Sequence, residues 1–148
     1  MYKAETKKQL PALALKGNEL IFYRRYLGME RVVPDIGVRR NEYIKNVIVP
    51  VLQPIDARVM AIREENAERL ASGQFKTTED GRISYGENEE QIRKQFEELL
   101  EEDVILPIEN PEEFALCRSI FQGLKQELDE NETYVYSEVL EKLNSVNL

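Results

Sequence analysis

Apolar residues recur with a helical period through the middle of the chain. Ile44, Ile48, Val51, Ile55, Val59 and Ile62 follow one another at steps of three and four. At about 100° per residue these positions stack in one stripe, which predicts a long helix starting near Asn41. Pro50 and Pro54 lie inside it, and each removes a backbone donor and crowds the preceding turn. The stripe keeps its phase through both, which favours one bent helix with the prolines on the flank away from the stripe. The competing arrangement breaks the element near Val49, because a residue before proline avoids helical backbone angles.

Beyond Gly73 the period changes. Phe75 and Thr77, then Ile83 and Tyr85, alternate with polar neighbours around Asp80-Gly81. This predicts a short β-hairpin, or an ordered loop at the tip of a helical hairpin. A second helix opens at Asn88 with Gln91 as its capping-box partner. Ile92, Phe96, Leu99 and Leu100 form its apolar face, and Glu97, Glu98, Glu101 and Glu102 face outward. Val104 to Ile108 reads as a strand, with Pro107 at an edge or an end because proline cannot donate to a ladder.

Asn110 and Pro111 mark the start of a third helix, with Phe114, Cys117, Phe121, Leu124 and Leu128 as its stripe. Val135, Val139, Leu143 and Val146 give a final short helix, and the two pair as a hairpin. Nearer the N-terminus, Thr6 and Gln9 form a capping box for a helix that Gly17 stops. Asn18 then caps a helix from Glu19 to Leu27, ended by Gly28. The predicted fold is mostly α, of the α+β class. A long bent helix and a second helix are joined by a short β-hairpin or loop tip, with a short β segment and a C-terminal helical hairpin. One domain holds short helices in 1–34, the central helical hairpin in 35–108 and the helical pair in 109–148.

At 148 residues and 42% hydrophobic content the chain can bury a single core. No apolar run approaches the roughly 18 residues of a membrane span. The opening Met1-Tyr2-Lys3-Ala4-Glu5 lacks the apolar stretch of a signal peptide, so no membrane association or secretion is expected. A lone cysteine fits a reducing compartment.

Charge is unevenly distributed. Residues 1–74 carry 13 Lys/Arg against 9 Asp/Glu, a net of +4, whereas residues 75–148 carry 7 against 19, a net of −12. A chain polarised in this way can pair head to tail with copies of itself, or meet a basic partner with its acidic half. The plainer explanation is that the acidic helices are solvated faces.

The side-chain inventory argues against catalysis and against a bound cofactor. With no histidine, neither a Ser-His nor a Cys-His nucleophile pair can be built. One cysteine cannot supply a zinc site, and Cys117 sits on an apolar stripe as a small buried hydrophobe. The glycines are dispersed, and no Lys-Ser/Thr follows them as a phosphate-binding loop requires. Glu98 and Glu102, four residues apart, form an exposed acidic face in preference to a cation site, since no Asp-x-Asp spacing supports them. No catalytic, cofactor-binding or metal-ligating residue is assigned.

One basic-aromatic cluster stands out, Phe22-Tyr23-Arg24-Arg25-Tyr26, with Arg31, Arg39 and Arg40 nearby. Interleaved arginines and aromatics can track a phosphate backbone while bases stack. A net charge of −8 works against nucleic acid as the partner. On a helix Tyr23 and Leu27 share a face with Leu20, as core residues do. Tyrosine and arginine are also enriched at protein interfaces. The candidate interface residues are therefore Tyr23, Arg24, Arg25, Tyr26, Arg39 and Arg40 on the basic side. Glu97, Glu98, Glu101 and Glu102 are the candidates on the acidic side.

The order of elements in 41–108 resembles a group of small bacteriophage-encoded proteins whose function is generally unassigned. The elements that carry it are a long charged helix ending near Ala67-Glu68-Arg69-Leu70 and a Thr-Glu-Asp-Gly turn. A Phe96-Glu97-Glu98-Leu99-Leu100 helix and the Val104 to Ile108 segment complete the order. The two prolines and the C-terminal hairpin depart from that layout, and the resemblance transfers no functional residue. It implies a phage origin, in the host cytoplasm or the virion. The expected function is non-enzymatic protein–protein contact as a phage structural or accessory component, self-associating or bound to other phage proteins. The alternatives are a small inhibitor that turns its acidic half on a host protein, by nucleic-acid mimicry, and a nucleic-acid-binding module using the Arg/Tyr cluster.

Overall fold

Leu13 and Leu15 are buried while Ala12 and Ala14, alternating with them, are exposed, a strand period and not a helical one. The computed structural model describes residues 11–148. Its first element, β1 (Ala12–Lys16), pairs antiparallel with β2 (Asp103–Pro107), setting Leu13 opposite Leu106 and Leu15 opposite Val104. The helix expected ahead of Gly17 is thus corrected over 12–16. Ala and Leu favour helix by propensity, but pairing with a distant strand overrides it. The proposed Thr6–Gln9 capping box lies outside the described residues.

Gly17 begins a helix instead of ending one. It is the first residue of α1 (Gly17–Met29), and a Cβ there would meet Ile55 and the Leu100 backbone at 3.5 Å. Asn18 lies inside this helix and is not its cap. The Glu19 carboxylate does that work, accepting the Lys16 N–H at 2.8 Å.

Residues 34–66 form one continuous helix, α2. It is α-helical over Pro34–Tyr43, widens to a π turn over Ile44–Ile48, and is α-helical again over Val49–Asn66. The break near Val49 does not occur, and the helix starts earlier than the apolar stripe, with Pro34 in its first turn. The π turn accommodates Pro50. Val49 N–H reaches back five residues to the Ile44 carbonyl, relaxing the turn that the proline ring would otherwise crowd. Pro50 and Pro54 are exposed as expected, Ile48 and Ile55 are buried, and the rest of the stripe is half-buried.

Between α2 and the next helix the chain makes two isolated bridges, Arg69 with Phe75 and Thr77 with Ile83, and no ladder. The tip is therefore an ordered loop. Gly81 alone at the turn has positive φ, at 83°. Its N–H donates to the Thr78 carbonyl at 3.0 Å, and Thr78 N–H donates to Arg82 at 2.7 Å. This is the three-residue loop with a left-handed glycine, not the two-residue Asp-Gly turn.

Helix α3 (Glu89–Glu101) follows a short 3-10 turn, Gly86–Asn88. Asn88 forms no side-chain cap, so the capping box with Gln91 is corrected. Its amide is taken up elsewhere, donating to the Asn66 carbonyl at 3.2 Å. Asn66 in turn donates to Gln95 at 2.7 Å, which closes the base of the α2–α3 hairpin.

Helices α4 (Pro111–Gln122) and α5 (Glu130–Asn144) form the C-terminal hairpin. Asn110 caps α4 as its sequence position implies, accepting the Glu113 N–H at 3.2 Å. Helix α4 ends at Gln122, short of Leu124 and Leu128, which pack on the core from the connection. The two helices close each other's C-terminal ends. Arg118 donates to the Leu143 and Val146 carbonyls, and Tyr136 donates to those of Phe121 and Gln122. The core gathers Leu20, Tyr23 and Leu27 of α1, Ile48 of α2, Phe114 and Phe121 of α4, and Val139 and Leu143 of α5. The fold is mostly helical α+β.

Candidate functional site

Helix α1 separates two kinds of side chain. Tyr23 is fully buried, edge-to-face with Phe121 at 4.9 Å between centroids. Tyr26 is buried beside it and donates its hydroxyl to Glu132. Both tyrosines were candidates for an interface, and the structure corrects them to core residues. Tyr23 lies three residues from Leu20 and four from Leu27, and Tyr26 lies three from Tyr23, which puts both on the inward face. Arg40 is corrected on the same ground: it is buried, and its guanidinium donates to the Leu27 and Glu30 carbonyls that end α1. Arg39 stays near the surface, where its Nε donates to Glu113 at 3.0 Å.

Arg24 and Arg25 are exposed, and neither has an ion-pair partner among the described residues. Their apolar companions are Ile21 and Met29, 39% and 46% exposed, which sequence reasoning passed over. The signal was available, since Ile21, Arg25 and Met29 recur every four residues on the face opposite Tyr23. The tyrosines masked it by residue type.

The acidic candidates lie on α3 and just after it. Glu97 and Glu98 are exposed and have no ion-pair partner among the described residues. Glu101 pairs with Lys16 at 2.8 Å, and Glu102 takes two hydrogen bonds from Arg58, at 2.6 and 3.3 Å. The Arg58 hydrogen bond holds the Glu102 carboxyl below its ordinary range. Lys16–Glu101, Arg39–Glu113, Arg58–Glu102 and Glu19–Lys142 all join the basic half of the chain to the acidic half. Part of the charge asymmetry is thus satisfied within the fold, and among the charges left without an ion pair in the described residues are Arg24 and Arg25 on α1 and Glu97 and Glu98 on α3.

A groove runs along the seam between α2 and α3. Two adjoining hollows of about 300 and 420 Å³ share Arg58, Leu99 and Glu102 and meet at the Arg58–Glu102 pair. Its floor is apolar, made by Val51, Ile55, Ile62 and Leu99, and at one end it reaches Ile105 of β2, 59% exposed. Around it stand four carboxylates, Glu65, Glu98, Glu102 and Asp103, against the single guanidinium of Arg58. A second cleft of about 350 Å³ lies between Tyr43 of α2 and the start of α4, closed on one side by the Arg39–Glu113 pair.

Cys117 lies fully buried, with its thiol pushed up to about 12 by burial and by the nearby Glu113 carboxylate. At neutral pH it is therefore a protonated packing group, not a nucleophile. Among the described residues no group of three or more His, Cys, Asp and Glu side chains is placed to hold a metal ion. None of their helices is long and apolar enough to cross a membrane. No family model, curated protein or solved structure matches the chain.

Proposed function

We propose that this protein works by contact with other proteins, and first with copies of itself, as a non-enzymatic structural or accessory component of a bacteriophage. The observation that carries the reading is the outer face of α1. Ile21, Arg24, Arg25 and Met29 form an exposed apolar-and-basic stripe on an ordered helix. Arginine and methionine are enriched where proteins meet, and rigid helical presentation lowers the entropy cost of binding. The layout of 41–108 supports the phage setting, and flanking capsid or tail genes are the expected gene neighbourhood.

Light scattering and sedimentation test the contact itself. The expected result is a species larger than the monomer at low salt, dissociating as salt rises to about 0.5 M, where exposed charges are screened within about 4 Å. A monomer at every salt and protein concentration overturns self-association. The acidic α2–α3 groove would then favour the second reading, an inhibitor that takes up a basic segment of a host protein.

A further inference from the structure

We infer that the α2–α3 groove is the receptor for the α1 stripe of a second copy, so that the chains join head to tail. The inference rests on the self-association just proposed and names both of its surfaces. Three features match. The groove has an apolar floor at Val51, Ile55, Ile62 and Leu99, and the stripe offers Ile21 and Met29 as apolar anchors. The groove is rimmed by Glu65, Glu98, Glu102 and Asp103, and the stripe carries Arg24 and Arg25 with no ion-pair partner of their own among the described residues. From Ile21 to Met29 a helix rises about 12 Å, and from Val51 to Glu65 about 21 Å, so the stripe fits within the groove.

The Arg58–Glu102 pair crosses the groove where the two hollows meet. Both side chains are more than half exposed, at 55% and 52%, and an exposed pair of this kind contributes little to stability. An incoming guanidinium can therefore take over Glu102 from Arg58 at small cost. Stripe and groove are different surfaces, so each bound copy leaves a free stripe at one end and a free groove at the other. Such contacts generate rings or open filaments, not closed two-fold dimers.

Two charge-reversed variants test this. R24E/R25E removes the stripe and keeps the groove, and E65K/E98K does the reverse; all four positions are exposed. Each variant alone should retain the wild-type circular dichroism spectrum and bind itself about tenfold more weakly or worse, because like charges then face each other. Mixed one to one, they should assemble again, because the intact stripe of one fits the intact groove of the other and the reversed stripe and reversed groove carry opposite charges. If E65K/E98K assembles as the wild type does, the groove is not the receptor while self-association stands. If the mixture stays monomeric although the wild type assembles, the head-to-tail pairing is likewise overturned.

Discussion

Lys142 near the end of α5 places its ammonium 2.6 Å from the Glu19 carboxylate in the first turn of α1. Glu19 is buried and also accepts the Lys16 N–H, so one carboxylate ties β1, α1 and α5 together. Lys142→Ala should cost about 1–3 kcal/mol, the range for leaving a buried polar group short of a partner. Glu19→Ala removes the whole junction. The double variant should lose less than the sum of the two singles, and urea denaturation of all three variants measures the coupling.

Ile55 on α2 is buried, whereas Met60, five residues further along the same helix, is exposed. Ile55→Ala should cost about 2–5 kcal/mol. Met60→Ala should stay within about 0.5 kcal/mol, as surface changes do. Equal shifts in thermal midpoint for the two would mean that the stripe is not core.

Cys117 should resist thiol reagents in the native protein at pH 8, because its thiol is both buried and pushed up to about 12. Full reactivity should appear on unfolding in guanidinium. A rapid stoichiometric reaction in native buffer is the result that contradicts this.

Glu102 titrates below the ordinary glutamate value of about 4.3 because Arg58 donates to its charged form. A depressed carboxyl favours the fold above the ordinary value. That contribution fades as pH falls from about 4.3 through the lower native value. Arg58→Ala should raise the Glu102 midpoint, which carboxyl-selective NMR titration reads directly. An unchanged midpoint would remove Arg58 as the cause.

The helical stripe of α2 and the Asn110 cap were legible because each depends on residues close in sequence, and the strand at Val104 to Leu106 because its β-branched Val104 and Ile105 and the following Pro107 mark it locally. β1 was not. Ala-Leu-Ala-Leu suits both helix and strand, and the choice was made by Leu106 and Val104 from a distant part of the chain. Asn88 failed as a cap for a similar reason, since the Asn66 carbonyl at the end of α2 competes for its side chain. Tyr23 and Tyr26 show how residue type misleads a search for binding surfaces. Their spacing already matched the core, while Ile21 and Met29, less conspicuous by type, were left outside. The groove could not be read at all, because it exists only once α2 and α3 pack.

The π turn at Ile44–Ile48 is equivalent to one extra residue in an otherwise regular helix. Deleting a single residue there would tighten the turn to a regular α-helix and leave the rest of α2 in phase with Pro34–Tyr43. Ile55 and Arg58 would keep their places, and the cost would fall on Pro50, whose ring would then crowd a closed preceding turn. The length of α2 between Tyr43 and Val49 is thus tied to Pro50, and a variant that loses this proline can also lose one residue of the turn without disturbing the α2–α3 seam.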